Sequence, residues 1–166
     1  MEIERKWLVN KGVKHGLRVK GKYVANQFYL SVEPEVRVRS VLNTVEGEYG
    51  FCECRLTIKG KGDLSRQEIE YRMSIDEFRQ LLEIGHVKDC EIINKKCMDL
   101  EYGNYTIEFS TVDEGTPYEF SYVEIEFNSE EEAKAFVAPD WFGKEVTYDS
   151  RYKMKNYWKL TRGSCN

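Results

Sequence analysis

The chain has 166 residues and a mass of 19.6 kDa, with 33% charged residues but a net charge of only −4. That length suits one domain, spanning 1–166, with a sizeable core. The near-balance of charge argues against a global nucleic-acid-binding surface, and no apolar run approaches the ~20 residues that cross a bilayer.

The chain opens with Met1-Glu2-Ile3-Glu4-Arg5-Lys6. Charges from position 2 onward do not fit a secretory leader. As a strand, this stretch sends Glu2, Glu4 and Lys6 to one face and Ile3 and Arg5 to the other, because side chains alternate with period two. At roughly 3.3–3.4 Å rise per residue, the charged groups line up about 7 Å apart. Such a row suits a hard cation together with a phosphate oxygen, although Glu-x-Glu-x-Lys also decorates solvated strands.

Residues 10–17 read as a loop or short helical turn. A strand follows over 22–32, with Gln27 and Tyr29 opposite Phe28 and Leu30. Glu33-Pro34-Glu35 is a turn. Residues 35–42 alternate strictly, with Arg37 and Arg39 against Val36 and Val38, and 43–50 form a hairpin loop. In the strand 49–59, Glu53, Arg55, Thr57 and Lys59 share one face; Cys52, Cys54, Leu56 and Ile58 share the other. After a Gly-rich turn, 65–73 returns with Arg66, Glu68, Glu70 and Arg72 against Ile69 and Tyr71.

Ser74 followed by Glu77 predicts a capping box, and Ile75, Phe78, Leu81 and Leu82 give the helix its apolar stripe. Gly85 ends that helix. Ile92 and Ile93 suggest a strand through Lys95-Lys96-Cys97. Residues 102–112 alternate, with Thr106 and Glu108 opposite Ile107 and Phe109. In 118–127, Tyr122, Glu124 and Glu126 oppose Val123, Ile125 and Phe127. Asn128 or Ser129 caps a helix running to 138, whose acidic start complements the helix dipole. A turn at 139–143 precedes a last helix over 149–160.

The five cysteines, Cys52, Cys54, Cys90, Cys97 and Cys165, are odd in number and show no zinc-type spacing. They read as free thiols of a reducing cytoplasm. His15 and His86 are isolated and read as surface or structural residues.

Some eight strands thus carry one apolar and one charged face. The charges are sorted: acids on the first and last strands, Arg and Lys between. An open antiparallel sheet of this size leaves edges that closure into a barrel removes. With the charged faces inside, burial costs several kcal/mol per ion unless each charge is paired or coordinated, so the interior makes sense around a highly charged ligand. Amphipathic helices would cover the apolar outer wall.

Together, Glu2-Ile3-Glu4-Arg5-Lys6, Gln27 and Tyr29, Arg37-Val38-Arg39, Leu56-Thr57-Ile58-Lys59-Gly60, Arg66-Gln67-Glu68-Ile69-Glu70, Val123-Glu124-Ile125-Glu126-Phe127 and the 141–152 segment (Trp141 to Thr147, then Asp149, Arg151 and Tyr152) resemble the CYTH superfamily. These are the triphosphate tunnel metalloenzymes, and the closest likeness is to the small bacterial members. The resemblance covers nearly the whole chain. It implies an α+β, mainly β fold: an eight-stranded antiparallel closed β-barrel with a charged interior and helices outside. It implies a triphosphatase using Mg²⁺ or Mn²⁺ on a small-molecule triphosphate. By position, Glu2, Glu4, Glu108, Glu124 and Glu126 look like metal-binding acids. Lys6, Arg37, Arg39, Lys59 and Lys95 look like phosphate contacts, joined by Arg72 and Arg151. The catalytic set becomes Glu2, Glu4, Lys6 and Glu126. One departure stands out: many members carry Lys-x-Arg where this chain reads Lys95-Lys96-Cys97, and a thiol does not grip phosphate as Arg does. A class IV-type adenylate cyclase and a non-catalytic triphosphate- or nucleotide-binding module remain alternatives. The oligomeric state, monomer or homodimer, is left open.

Overall fold

The computed structural model describes residues 1–13, 16–45 and 48–163. His15 and Cys165 lie outside these described residues, as does the centre of the hairpin expected at 43–50. Nine strands form one antiparallel sheet: β1 (Glu2–Val9), β2 (Val19–Val32), β3 (Glu35–Val45), β4 (Glu48–Lys59), β5 (Ser65–Arg66), β6 (Glu68–Met73), β7 (Ile93–Tyr102), β8 (Tyr105–Val112) and β9 (Phe120–Glu126). Three helices accompany them: α1 (Ile75–Ile84), α2 (Glu130–Ala135) and α3 (Met154–Arg162).

The strand order is β5-β1-β9-β8-β7-β2-β3-β4-β6. Its two ends, β5 and β6, are separated in the chain by Gln67 alone. The expected strand over 65–73 therefore exists but divides its allegiance: β6 pairs with β4, whereas Ser65 and Arg66 pair with Ile3 and Glu2. This divided strand wraps the sheet into a barrel, and merging its two parts recovers the eight strands expected. The rest of the free edge of β1 is taken by 143–146. Gly143 N–H donates to the Leu8 carbonyl at 2.8 Å, and Val146 N–H donates to that of Lys6 at 2.8 Å.

Alternation along the strands divides the side chains between the two faces. The outward faces carry Ile3, Trp7, Ile107, Val123 and Ile125, which pack against the α2 region, and Phe28, Val38 and Cys54, which pack against α1 through Phe78. At one end the inward faces also turn apolar. There Leu8, Tyr29, Ile93, Val112 and Phe120 meet Met154, Tyr157 and Trp158 of α3. So α1 and α2 cover the wall, while α3 seals one mouth. Arg162 and Tyr157 both hold Asp113, which follows β8, with Arg162 Nη2 at 2.6 Å from its carboxylate.

The Ser74 capping box forms as expected, with Glu77 N–H donating to Ser74 Oγ at 3.2 Å and Ser74 N–H donating to Glu77 at 2.7 Å. Elsewhere boundaries shift for local reasons. The strand expected from residue 102 begins at Tyr105, because Gly103 (φ 58°) turns a hairpin between β7 and β8. Helix α2 stops at Ala135 rather than 138. Phe136 leaves it to pack its ring on Trp7, Tyr105 and Phe127, and Arg5 Nη1 donates to the Ala133 and Phe136 carbonyls at 2.7 and 3.0 Å, taking over helix-end acceptors. The helix expected over 149–160 is split. Asp149 caps a short 3₁₀ turn over Ser150–Tyr152, Lys153 is extended, and α3 follows. No described helix is long and apolar enough to cross a membrane.

The turn entering β5 depends on Gly62, whose φ is +149° and where a Cβ would lie 2.0 Å from the Ser65 carbonyl oxygen. Gly62→Ala is expected to cost about 1–3 kcal/mol by displacing the strand that closes the barrel on β1. Urea denaturation measures this; an unchanged midpoint would show that the closure tolerates displacement.

Candidate active site

Inside the barrel lies a cavity of about 790 Å³. Its wall is built by strand parity. β1 contributes Glu2, Glu4 and Lys6; β9 contributes Glu126, Glu124 and Tyr122; β8 adds Glu108. Antiparallel pairing sets Glu4 beside Glu126, Lys6 beside Glu124, and Glu124 beside Glu108. From the opposite side come Arg37 and Arg39 on β3, Lys59 and Arg55 on β4, and Lys95 on β7.

Of the residues expected to form the site, Glu2, Glu4, Lys6, Arg37, Arg39, Lys59, Lys95, Glu108, Glu124 and Glu126 all line this cavity. Arg72 and Arg151 do not. The Arg72 side chain is 82% exposed and reaches Glu53 at 3.1 Å, because alternation on β6 continues past the cavity wall. The Arg151 side chain is 73% exposed and pairs with Asp149 at 2.6 Å, because the 3₁₀ turn points it away. Arg66 is a charged wall residue missing from the expected set, as are Arg55 and Glu68. The Arg66 Nε meets Glu2 at 2.7 Å and its Nη2 meets Glu4 at 2.8 Å. Its parity with Glu68 and Glu70 already marked it, but the barrel closure that brings it to β1 is non-local.

Most charges in the wall are matched. Lys59 Nζ lies 2.8 Å from both Glu2 and Glu68, and Lys6 Nζ lies 2.7 Å from Glu124. Glu108 accepts from Tyr23 Oη at 2.5 Å and Ser110 Oγ at 3.0 Å, with Lys95 at 3.4 Å. Cys97 is buried beside Ser110, its Sγ 3.2 Å from Oγ, so the thiol turns to a neighbour in the wall. Two basic groups stand apart. Among the described residues Arg37 and Arg39 make no ion pair within 4.0 Å, and the buried Nε of each has no acceptor. Arg37 reaches Thr57 Oγ1 at 3.2 Å. Burial, then the neighbouring Arg39 charge, lowers the proton affinity of Arg37.

The acids differ among themselves. Burial raises Glu4, and the Glu124 and Glu2 carboxylates add to it, bringing its pKa to about 7. Lys59 and Lys6 pull the other way without reversing it. Burial also opposes ionisation of Glu2, but Lys59 and Arg66 outweigh it and hold Glu2 far below the usual carboxylate range. Glu126 is raised by burial and by Glu2 and Glu68, and among the described residues it makes no ion pair. Glu4, Glu124 and Glu126 thus form an acidic corner of oxygen donors with surplus negative charge. That chemistry fits a hard divalent cation, although no three metal-ligating side chains stand gathered as a finished set among the described residues.

No family model matches the chain. It is 32% identical over 157 residues to an inorganic triphosphatase of Nitrosomonas europaea, covering 93% of this chain and 94% of that protein. It is 30% identical over 156 residues to an inorganic triphosphatase of Acetivibrio thermocellus, covering 93% and 91%. Among solved structures, an inorganic triphosphatase superposes with a TM-score of 0.59 at 29% identity, over 95% of this chain and 93% of that one. A protein of Pyrococcus horikoshii OT3 shares the fold, with a TM-score of 0.55 at 17% identity over 97% and 90%.

Proposed function

The chain belongs to the CYTH superfamily of triphosphate tunnel proteins, and on that premise we propose that it hydrolyses a phosphoanhydride bond of a small triphosphate inside its barrel, with Mg²⁺ or Mn²⁺ held by the acidic corner. The observation that carries this reading is the pair Arg37 and Arg39. Two neighbouring guanidiniums, each with a buried and unsatisfied Nε, are costly unless an anion arrives to accept from them. A phosphate chain supplies oxygens of matching geometry. The named relatives are inorganic triphosphatases, so inorganic tripolyphosphate is the first substrate to test.

Phosphoryl transfer asks for positioning and charge neutralisation more than for covalent help. In this site the arginines grip the chain, and Lys6 and Lys95 offset charge on the diphosphate portion as it leaves. Water attacks the terminal phosphorus, the bridging P–O bond breaks, and the electron pair stays with diphosphate. Glu126, unpaired and with raised proton affinity, is the group suited to take the proton lost by that water. Glu4 and Glu124 of the acidic corner would hold the divalent cation, which would supply charge neutralisation at phosphate oxygens when bound. The described cysteines Cys52, Cys54, Cys90 and Cys97 are all free thiols, which supports a cytoplasmic setting.

The test is incubation with tripolyphosphate, thiamine triphosphate and ATP, with Mg²⁺ or Mn²⁺ or with chelator. Phosphate release that needs the metal supports the proposal. Cyclic AMP with pyrophosphate from ATP would replace it with a cyclase. In the same samples tripolyphosphate at a hundred times its Kd should stabilise the fold by about 2.7 kcal/mol. Sulfate at matched ionic strength should give a smaller shift. Stabilisation without turnover would replace hydrolysis with binding alone; equal shifts would remove the specific site.

A further inference from the structure

Tyr122 heads the fully buried side chains by size and is 0% exposed. It lies on β9 two residues inward of Glu124 and faces the cavity. The Lys6 ammonium sits 4.2 Å from the centre of its ring and the Lys95 ammonium 5.1 Å. Behind it, Phe120 stacks at 5.7 Å and the apolar plug begins, with Tyr29, Ile93, Val112 and Tyr157. Tyr122 therefore stands at the boundary between the charged wall and the sealed end. Its hydroxyl is buried and has no hydrogen-bond partner. A buried tyrosine usually finds one, and leaving it without costs about 1–3 kcal/mol.

We propose that Tyr122 is the floor of the phosphate chamber, donating its hydroxyl to an oxygen of the innermost phosphate and setting the length of chain the cavity accepts. This rests on the triphosphate reading above and adds a specificity residue to it. A phenol donates at neutral pH. Lys6 and Lys95, held over its ring, bring two positive charges to the same phosphate. The ring itself blocks a fourth phosphate from advancing into the plug, where Phe120 and Val112 offer nothing polar.

Two variants separate the roles of hydroxyl and ring. Binding of tripolyphosphate and tetrapolyphosphate is measured by calorimetry without metal, and turnover of both with Mn²⁺. Tyr122→Phe keeps the ring. It should weaken tripolyphosphate binding about tenfold, raise KM more than it lowers kcat, and leave the preference for three phosphates in place. Its ligand-free melting temperature should not fall, since an unsatisfied hydroxyl is removed. Tyr122→Ala removes the floor, and the tripolyphosphate-over-tetrapolyphosphate preference should drop at least fivefold. The proposal is overturned if Tyr122→Phe binds tripolyphosphate as the wild type does, or if Tyr122→Ala keeps the chain-length preference. Wild-type protein that binds neither polyphosphate overturns the triphosphate reading itself and this inference with it. Normal wild-type binding with indifferent variants overturns this inference alone.

Discussion

Glu4→Gln is expected to lower phosphate release from tripolyphosphate at saturating Mn²⁺ by at least about a hundredfold, the scale of losing one preorganised electrostatic group. The substitution keeps the size of the side chain and an amide oxygen able to accept from Arg66 Nη2, which now lies 2.8 Å from the carboxylate. What it removes is the negative charge a hard cation needs. Metal-free tripolyphosphate binding should survive, and tighten, because one repulsive carboxylate has gone. Phosphate release and calorimetry with and without Mn²⁺ read the two effects separately. Normal turnover in Glu4→Gln at saturating metal would remove β1 from the metal-binding set.

The same variant carries a pH signature. The folded pKa of Glu4 is raised from 4.5 to about 7 by burial and by Glu124 and Glu2. A carboxyl whose folded value is raised holds its proton better in the folded state than in the unfolded one. Its unfavourable contribution grows as pH climbs from 4.5 and is complete above 7. Glutamine is never charged, so ligand-free Glu4→Gln should exceed the wild type in stability by about 1–3 kcal/mol at pH 8, with the gap closing near pH 5. Urea titrations at the two pH values check this. A gap of equal size at both would show that repulsion at Glu4 is not its cause.

Strand parity showed two faces on every strand but not which face lies inside; the sorting of charge and the likeness to a known family decided that. Ten of the expected site residues fall on the cavity wall because parity is a local property, and a barrel preserves it strand by strand. The failures mark where local reasoning ends. Arg72 has the right parity but sits on a part of β6 that runs beyond the wall. Arg151 followed from the family likeness alone; it sits on the 3₁₀ turn, where its side chain pairs with Asp149. Arg66 escaped notice as a wall residue because its partners, Glu2 and Glu4, lie more than sixty positions away in sequence. The plug was hidden for a related reason. Leu8, Ile93, Val112 and Phe120 continue the inward faces, but only α3 folding across the mouth turns them into an end wall.

Arg39→Ala should act in the opposite sense to Glu4→Gln. It deletes guanidinium donors aimed at the cavity, and a lost hydrogen bond to a charged partner is worth about 1.5–3 kcal/mol, so tripolyphosphate affinity should fall roughly tenfold to a hundredfold or more. Metal dependence should persist, since the acidic corner is untouched. Arg39→Lys should recover only part of the loss, because an ammonium keeps the charge but not the fork. The ligand-free protein gives the sharper reading. Arg39 makes no ion pair among the described residues, its Nε lacks an acceptor, and its charge disfavours that of Arg37. Removing it relieves the repulsion on Arg37 but also withdraws a charge that, after Lys95, holds the buried Glu108 ionised, so the melting temperature of ligand-free Arg39→Ala should change little while the stabilisation given by tripolyphosphate shrinks. A structural arginine would behave the other way round. A lower ligand-free melting temperature with unchanged tripolyphosphate affinity would mean that Arg39 supports the barrel and that the phosphate chain is gripped elsewhere.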